Sequence, residues 1–155
     1  MKKLLTMMVL GLGVSYGYSQ KIKESEVPAA VKAAFAKAHP AAKEVKWEKE
    51  DGSFEVSFDQ DKKEMSEVLD ASGAILEDET EMASGELSSS IKSVLAKDFA
   101  GFKITEAAKI LAKGVTTFEA EVEKGGERLE LIFDIQGKLL KKMKKVKAKD
   151  KDDKD

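Results

Sequence analysis

VLDASGAIL at positions 68–76 and IFDIQGKLL at 132–140 follow one pattern: two apolar residues, an Asp, two variable positions, a Gly and a return to apolar residues. Asp70 and Asp134 are 64 positions apart (134 − 70), and so are Gly73 and Gly137 (137 − 73). Asp followed three residues later by Gly is turn chemistry. The carboxylate accepts from backbone N–H groups just downstream, and Gly adopts the left-handed backbone angle that other residues resist. A corner repeated at a constant offset raises the question of one folding unit written twice.

Upstream of the first corner, ESEVPAAVKAAFAKAHP reads as a helix. Ser25 is a candidate N-cap, Pro28 falls in the first turn, and Val27, Val31, Ala34, Phe35 and Ala38 recur at helical spacing. Pro40 ends it, because the residue before a proline is pushed out of helical angles. The pattern then switches to period two. Val45 and Trp47 share one face of KEVKWEKE; Phe54, Val56 and Phe58 share one face of SFEVSFD. EDG at 50–52 is a hairpin signal, DQDKK at 59–63 a polar turn, and EMSEVLD and AILEDETEM supply two further strands.

The same order restarts at SGELSSSIKSVLAKDFAG, with Ser84 as a candidate cap and Gly101 as a stop. Slid by 60 positions, Val27 falls on Leu87, Val31 on Ile91, Lys32 on Lys92 and Lys37 on Lys97. Phe54-Glu55 falls on Phe118-Glu119 at an offset of 64, so four residues enter around AAKILAKG. The expected fold class is therefore α+β: tandem duplicated α-β-β-β-β units, residues 24–83 and 84–146. They form one antiparallel, roughly eight-stranded sheet with two helices on one face. Alone, each unit would leave an apolar sheet face exposed and bury too little to be stable.

MKKLLTMMVLGLGVSYGYSQ has the layout of a secretory signal peptide. Lys2 and Lys3 lead an apolar run at 4–14, and small residues Gly17 and Ser19 precede a cleavage point after Ser19. The run is about half the roughly 20 residues that a membrane span needs. Residues 1–19 are read as the signal peptide, which places the protein in the periplasm or outside the cell with no membrane span after cleavage. The chain has no Cys, which excludes a lipidated cysteine and a disulfide framework. What remains is about 135 residues, enough for one domain with a core. Without Lys2 and Lys3 the charge balance is 25 basic against 29 acidic residues, a net −4 (25 − 29). Arg128 is the only arginine, and the bidentate contacts that read phosphate and guanine rely on arginine. Nucleic acid is excluded as a partner on that ground. At 147–155 the composition turns to alternating charge that cannot pack, so this tail is expected to be disordered.

No catalytic set is legible. The single histidine, His39, falls at a helix C-terminus, and no Gly-x-Ser-x-Gly elbow presents a nucleophile to it. One His and no Cys cannot furnish a zinc site. DQDKKE at 59–64 alternates carboxylates as calcium loops do, but Glu64 stands where such a loop needs Gly. The reading therefore assigns no enzyme activity, no cofactor and no metal. The sheet face turned away from the helices carries Glu55, Ser57, Ser66 and Val68 in the first half. It carries Glu119, Glu121, Glu130 and Ile132 in the second. These eight form the candidate partner-binding face, expected to be open to solvent as antiparallel sheets often are. The expected function is an exported, non-enzymatic protein-binding module that uses this face against another envelope or secreted protein. The alternative is a small-ligand or cation-binding envelope protein.

With FEVSF…EVLDASGAIL and FEAEV…LIFDIQGKLL in this order, the chain resembles the PepSY-like, beta-lactamase-inhibitor-protein-like (BLIP-like) secreted domains common in Bacteroidota. The resemblance runs from about Glu24 to Lys145 and is carried by Val45-Lys46-Trp47-Glu48, Phe54-Glu55-Val56, Asp70-x-x-Gly73 and Asp134-x-x-Gly137. It implies a tandem α/β fold with a curved antiparallel sheet, placement outside the cytoplasm, and no enzymatic activity. The namesake inhibitors grip an enzyme with the sheet. They are disulfide-stapled and present aromatic contact residues, whereas this chain has no Cys and a Glu/Ser-rich face, so inhibition of beta-lactamase does not carry over.

Overall fold

The structure, a computed structural model, describes residues 20–145; the expected signal peptide and charged tail lie outside the described residues. It is an α+β fold. β1 (Gln20–Ile22), a 3-10 turn (Glu24–Glu26), α1 (Ala29–Ala38), β2 (Lys43–Glu50), β3 (Ser53–Gln60), β4 (Lys63–Leu69) and β5 (Ile75–Glu81) come first. A second 3-10 turn (Ser84–Glu86), α2 (Ser89–Asp98), β6 (Lys103–Ala112), β7 (Val115–Lys124), β8 (Glu127–Asp134) and β9 (Leu139–Lys145) follow. Strand order in the antiparallel sheet is the chain order, β1 to β9. Among the described residues the strands number nine, against the roughly eight expected. Gln20-Lys21-Ile22 is too short to show a period, and its pairing with Lys49, Glu48 and Trp47 makes it a strand. Among the described residues no helix is long and apolar enough to cross a membrane.

By compactness the chain divides into two units. One is residues 20–82 with Lys109–Thr116; the other is Ala83–Ala108 with residues 117–145.

In the first unit α1 buries Val31 and Phe35 in a cluster with Val27, Trp47, Phe54, Val56, Phe58 and Leu69. The ring of Phe35 meets Trp47 and Phe58 edge-on, with centroids 5.4 and 5.0 Å away. Ser25 does not cap the helix. It lies in the 3-10 turn, and Pro28 takes the N-cap position. Val45 also departs from expectation: it is exposed while Trp47 is buried. A register shift between Lys43 and Lys46, with Glu44 at a φ of 53°, inserts an extra residue and breaks the alternation there.

In the second unit α2 buries Ile91 and Leu95. Ser84 lies in the preceding 3-10 turn, and Ser88 is the cap, its hydroxyl accepting from the N–H of Ile91 at 3.3 Å. Ala120 stands opposite Leu131 and Val122 opposite Leu129, a buried apolar face. β6 and β7 have 10 residues each where β2 and β3 have 8, so their hairpin is longer by two residues on each strand.

Among the described residues four hairpins turn on two residues each: Asp51-Gly52, Asp61-Lys62, Lys113-Gly114 and Gly125-Gly126. In each pair both residues have positive φ. That geometry matches the twist of the flanking strands. The Asp-x-x-Gly corners are different. Asp70 Oδ1 accepts from the N–H of Ser72 (2.8 Å) and of Ala74 (3.0 Å) and from the Ser72 hydroxyl (2.6 Å). Asp134 Oδ1 accepts from the N–H of Gln136 (3.0 Å) and of Lys138 (2.8 Å). The Ser72 hydroxyl, followed by the Ala74 N–H, holds the Asp70 carboxyl below its ordinary pKa. Gly73 and Gly137 both lie in the left-handed region. A Cβ on Gly73 would sit 2.8 Å from the Ala30 carbonyl oxygen of α1, and one on Gly137 would sit 3.0 Å from the Ile91 nitrogen of α2. Each corner is pressed against the helix of its own unit.

Gly52 shares the positive φ but has open space around it. Gly52→Ala is expected to cost about 1 kcal/mol from backbone strain alone. Gly73→Ala and Gly137→Ala add a steric clash and should each cost about 2–4 kcal/mol in chemical denaturation. Equal losses at all three positions would show that the corners are not helix-packed.

Candidate functional site

The eight candidate residues fall into two groups, one in each unit. In the first, Glu55 stands opposite Val68, which stands opposite Glu77; Ser57 stands opposite Ser66, which stands opposite Glu79. In the second, Glu119 stands opposite Ile132, and Glu121 opposite Glu130. Strand alternation puts each group on the face away from its apolar partners, as the sequence pattern requires. Exposure is a different matter. Ser57 is half-buried, and the other seven are buried, none more than 8% exposed. The expectation of a solvated face is corrected on this point, and Val68 (2%) and Ile132 (3%) are interior residues.

The second unit shows the cause. Lys145, at the end of β9, lays its ammonium among three carboxylates: 3.0 Å from Glu121 Oε2, 3.4 Å from Glu130 Oε2 and 4.0 Å from Glu119 Oε1. Glu121 and Glu130 are direct cross-strand neighbours, an arrangement that repels unless a cation bridges it. Glu121 Oε1 also accepts from the Thr105 hydroxyl at 3.1 Å and lies 3.8 Å from Arg128 Nη1. Arg128 Nε in turn donates to Glu123 at 2.9 Å. Long side chains thus fold over the carboxylates and take them out of water.

Burial raises the Glu119 pKa to about 8. The neighbouring Glu130 adds to the rise, as do Glu121 and Glu106 more weakly, and Lys145 opposes it. Burial also raises Glu130, against the pull of Lys145 and Lys141. For Lys145 burial acts downward, but Glu119, Glu130 and Glu121 outweigh it and the ammonium is held well above its ordinary value. The cluster therefore retains a proton on its carboxylates near neutral pH and keeps its lysine charged.

His39, the single histidine, is tied into the first unit. Its Nε2 is 2.7 Å from Glu67 Oε1 and its Nδ1 is 3.2 Å from Gln60 Oε1, with the ring against Phe58 (centroids 4.5 Å apart). Glu67 lies on the apolar face opposite Val56 and is 1% exposed. Burial raises its pKa, the His39 bond and charge draw it back, and Asp78 adds a smaller rise. This buried pair escaped sequence reading, since nothing local says that residues 28 apart meet. Lys145 was missed for another reason. Its strand, LLKKMKK, sits in a lysine-rich run that reads as solvated charge, and only the pairing of Arg128 with Lys145 brings it over the glutamates. Among the described residues no group of three or more His, Cys, Asp or Glu is arranged to hold a metal ion.

The raised Glu119 value has a sign. Unfolded, the group titrates near 4.5; folded, near 8, so the folded state binds the extra proton between these values. Its contribution is intact below the lower value and is lost as pH rises through the upper one. Stability is expected to fall as pH rises from roughly 4.5 to about 8 and to level off above that, and Glu119→Gln should flatten that slope in denaturation series across pH. An unchanged slope would show that the cluster does not hold the proton. Lys145→Met should lower stability by roughly 1–3 kcal/mol near neutral pH by leaving the carboxylates uncompensated.

No protein-family model matches the chain, and no curated protein sequence matches it. Solved structures do. A crystal structure of a DUF2874 family protein from Bacteroides uniformis superposes with a TM-score of 0.68 at 17% identity, over 76% of this chain and 88% of that one. A BLIP-like protein from Bacteroides fragilis gives 0.64 at 23% identity, over 79% and 90%. A protein from Bacteroides eggerthii described as a candidate periplasmic protein gives 0.70 at 14%, over 76% and 88%. At these identities the likeness is one of fold: this chain has the fold of the BLIP-like and DUF2874 proteins of Bacteroides.

Proposed function

We propose that this is an exported, non-enzymatic protein-binding module of the cell envelope, released by cleavage after Ser19, with the carboxylate-bearing sheet face as its contact. The observation that carries the reading is the set of glutamates kept on that face at positions from which water is largely removed. A sheet gains nothing in stability from Glu55, Glu119, Glu121 and Glu130 that apolar residues of similar size would not supply, and buried ion pairs are often neutral or worse against such replacements. Acidic groups retained at that cost suit a cationic partner that displaces the side chains folded over them, Lys145 among them, and charge complementarity then sets specificity. The leader-like residues 1–19 and the fold shared with a candidate periplasmic protein support the address. Both ring nitrogens of His39 are taken up by Gln60 and Glu67, which supports a structural role for this residue.

The test uses charge-removing variants that keep side-chain shape: Glu55→Gln, Glu119→Gln and Glu130→Gln combined. The variant should fold, with stability equal or higher, and lose at least tenfold of the partner cross-linked to the wild-type chain in intact envelopes. Full retention of that partner would overturn the sheet-face assignment. Heat on titrating calcium into the wild-type protein would favour the cation-binding alternative instead.

A further inference from the structure

We propose that the second unit binds a single-chain aliphatic carboxylate in an apolar groove between α2 and the strands beneath it, with Lys124 and Lys142 receiving the acid group. The groove has a volume of about 350 Å³ and is lined by Leu95, Phe99, Phe102, Ile104 and Val122. That is the low end of the range for small-molecule sites, so it holds one chain and not the two of a phospholipid. Val122 shares the groove with Leu95 of α2, while its neighbour Glu121 lies on the other face of the sheet. The site is therefore separate from the carboxylate cluster and does not rest on the sheet-face proposal.

The sequence accounts for the opening. In the first unit Phe35 of α1 packs edge-on against Trp47 and Phe58, and all three are buried. At the offsets of 60 and 64 between the halves, Leu95 takes the place of Phe35 (95 − 35 = 60), Ala107 that of Trp47 (107 − 47 = 60) and Val122 that of Phe58 (122 − 58 = 64). Three rings give way to three smaller aliphatic side chains, and close packing is lost where the rings would stand.

Cations stand over the aromatic part of the wall. Lys142 Nζ lies 5.4 Å from the centroid of the Phe99 ring, and Lys124 Nζ lies 5.6 Å from that of Phe102. Lys124 Nζ also donates to the Ala100 carbonyl at 3.1 Å and would stand 3.0 Å from a Cβ on Gly101; both residues border the groove. Among the described residues neither ammonium is paired with a carboxylate. An ammonium has three donors, and the bond to Ala100 uses one of those on Lys124. An apolar trough bordered by two such ammoniums is complementary to an amphiphile with an alkyl chain and one anionic head.

Titration of the full chain with sodium decanoate, followed by methyl NMR, tests this. Saturable shifts of the Leu95, Ile104 and Val122 methyl signals are expected, with Val31 and Val56 of the first unit unmoved. Ala96 is exposed and borders the groove, so Ala96→Phe fills the space without entering the core. It should weaken decanoate binding roughly tenfold, because the alkyl chain loses its apolar contacts. Lys124→Gln combined with Lys142→Gln, both at exposed positions, should weaken decanoate roughly fivefold and leave decanol binding unchanged. Unmoved groove methyls in the wild-type chain, or undiminished binding by Ala96→Phe, would overturn the site. Equal binding of decanoate and decanol by the wild-type chain, or undiminished decanoate binding by the double lysine variant, would overturn the assignment of a carboxylate.

Discussion

The contact on which each unit depends is the approach of a strand corner to a helix. At Gly73 the backbone comes so near the Ala30 carbonyl and the Ala34 methyl that no side chain fits. At Gly137 it comes as near to Ser90 and the Ile91 nitrogen. The helix must be small at these positions and the corner must lack a Cβ, so the two segments constrain each other's composition. The Asp of each corner then fixes the direction in which the chain leaves, through bonds to N–H groups two and four residues on. What looks from the sequence like an acidic motif written twice is the device that docks the second pair of strands of each unit against its helix.

On the other side of the sheet the controlling physics is electrostatic. Glu119, Glu121 and Glu130 would repel one another if each kept its charge in a site that water barely reaches, and Lys145, with Arg128 only at the edge of Glu121, does not balance three carboxylates. The cluster answers with a retained proton and a strongly held ammonium. The first unit has a comparable element in its apolar interior, where Glu67 is held by His39, whose other ring nitrogen meets Gln60. Both arrangements leave titratable groups under tension in places that packing alone would fill with aliphatic side chains.

The likeness to Bacteroides structures is one of fold and assigns no role to the glutamates or to Lys145. At identities of 14–23%, partners do not follow from the fold. They have to be argued from the face itself.

Much of the architecture was legible in the residues because the forces that set it are local. Periodicity of 3.6 marked both helices, alternation marked the strands, and Asp, Gly and Pro marked where each ended. Local reading failed where partners decide. β1 is a strand because β2 accepts it, Val45 is exposed because a bulge shifts the register, and Ser88 rather than Ser84 caps α2 because a 3-10 turn comes first. The face carrying Glu55, Val68, Glu119 and Ile132 follows from alternation by itself. Its burial does not, because that depends on which side chains fold across it from strands distant in sequence. Sequence by itself determined the turns, the faces and the candidate residues. Only tertiary structure decided that Lys145 would lie among three glutamates and His39 against Glu67, since a buried charge is tolerable only where a particular partner is brought to meet it.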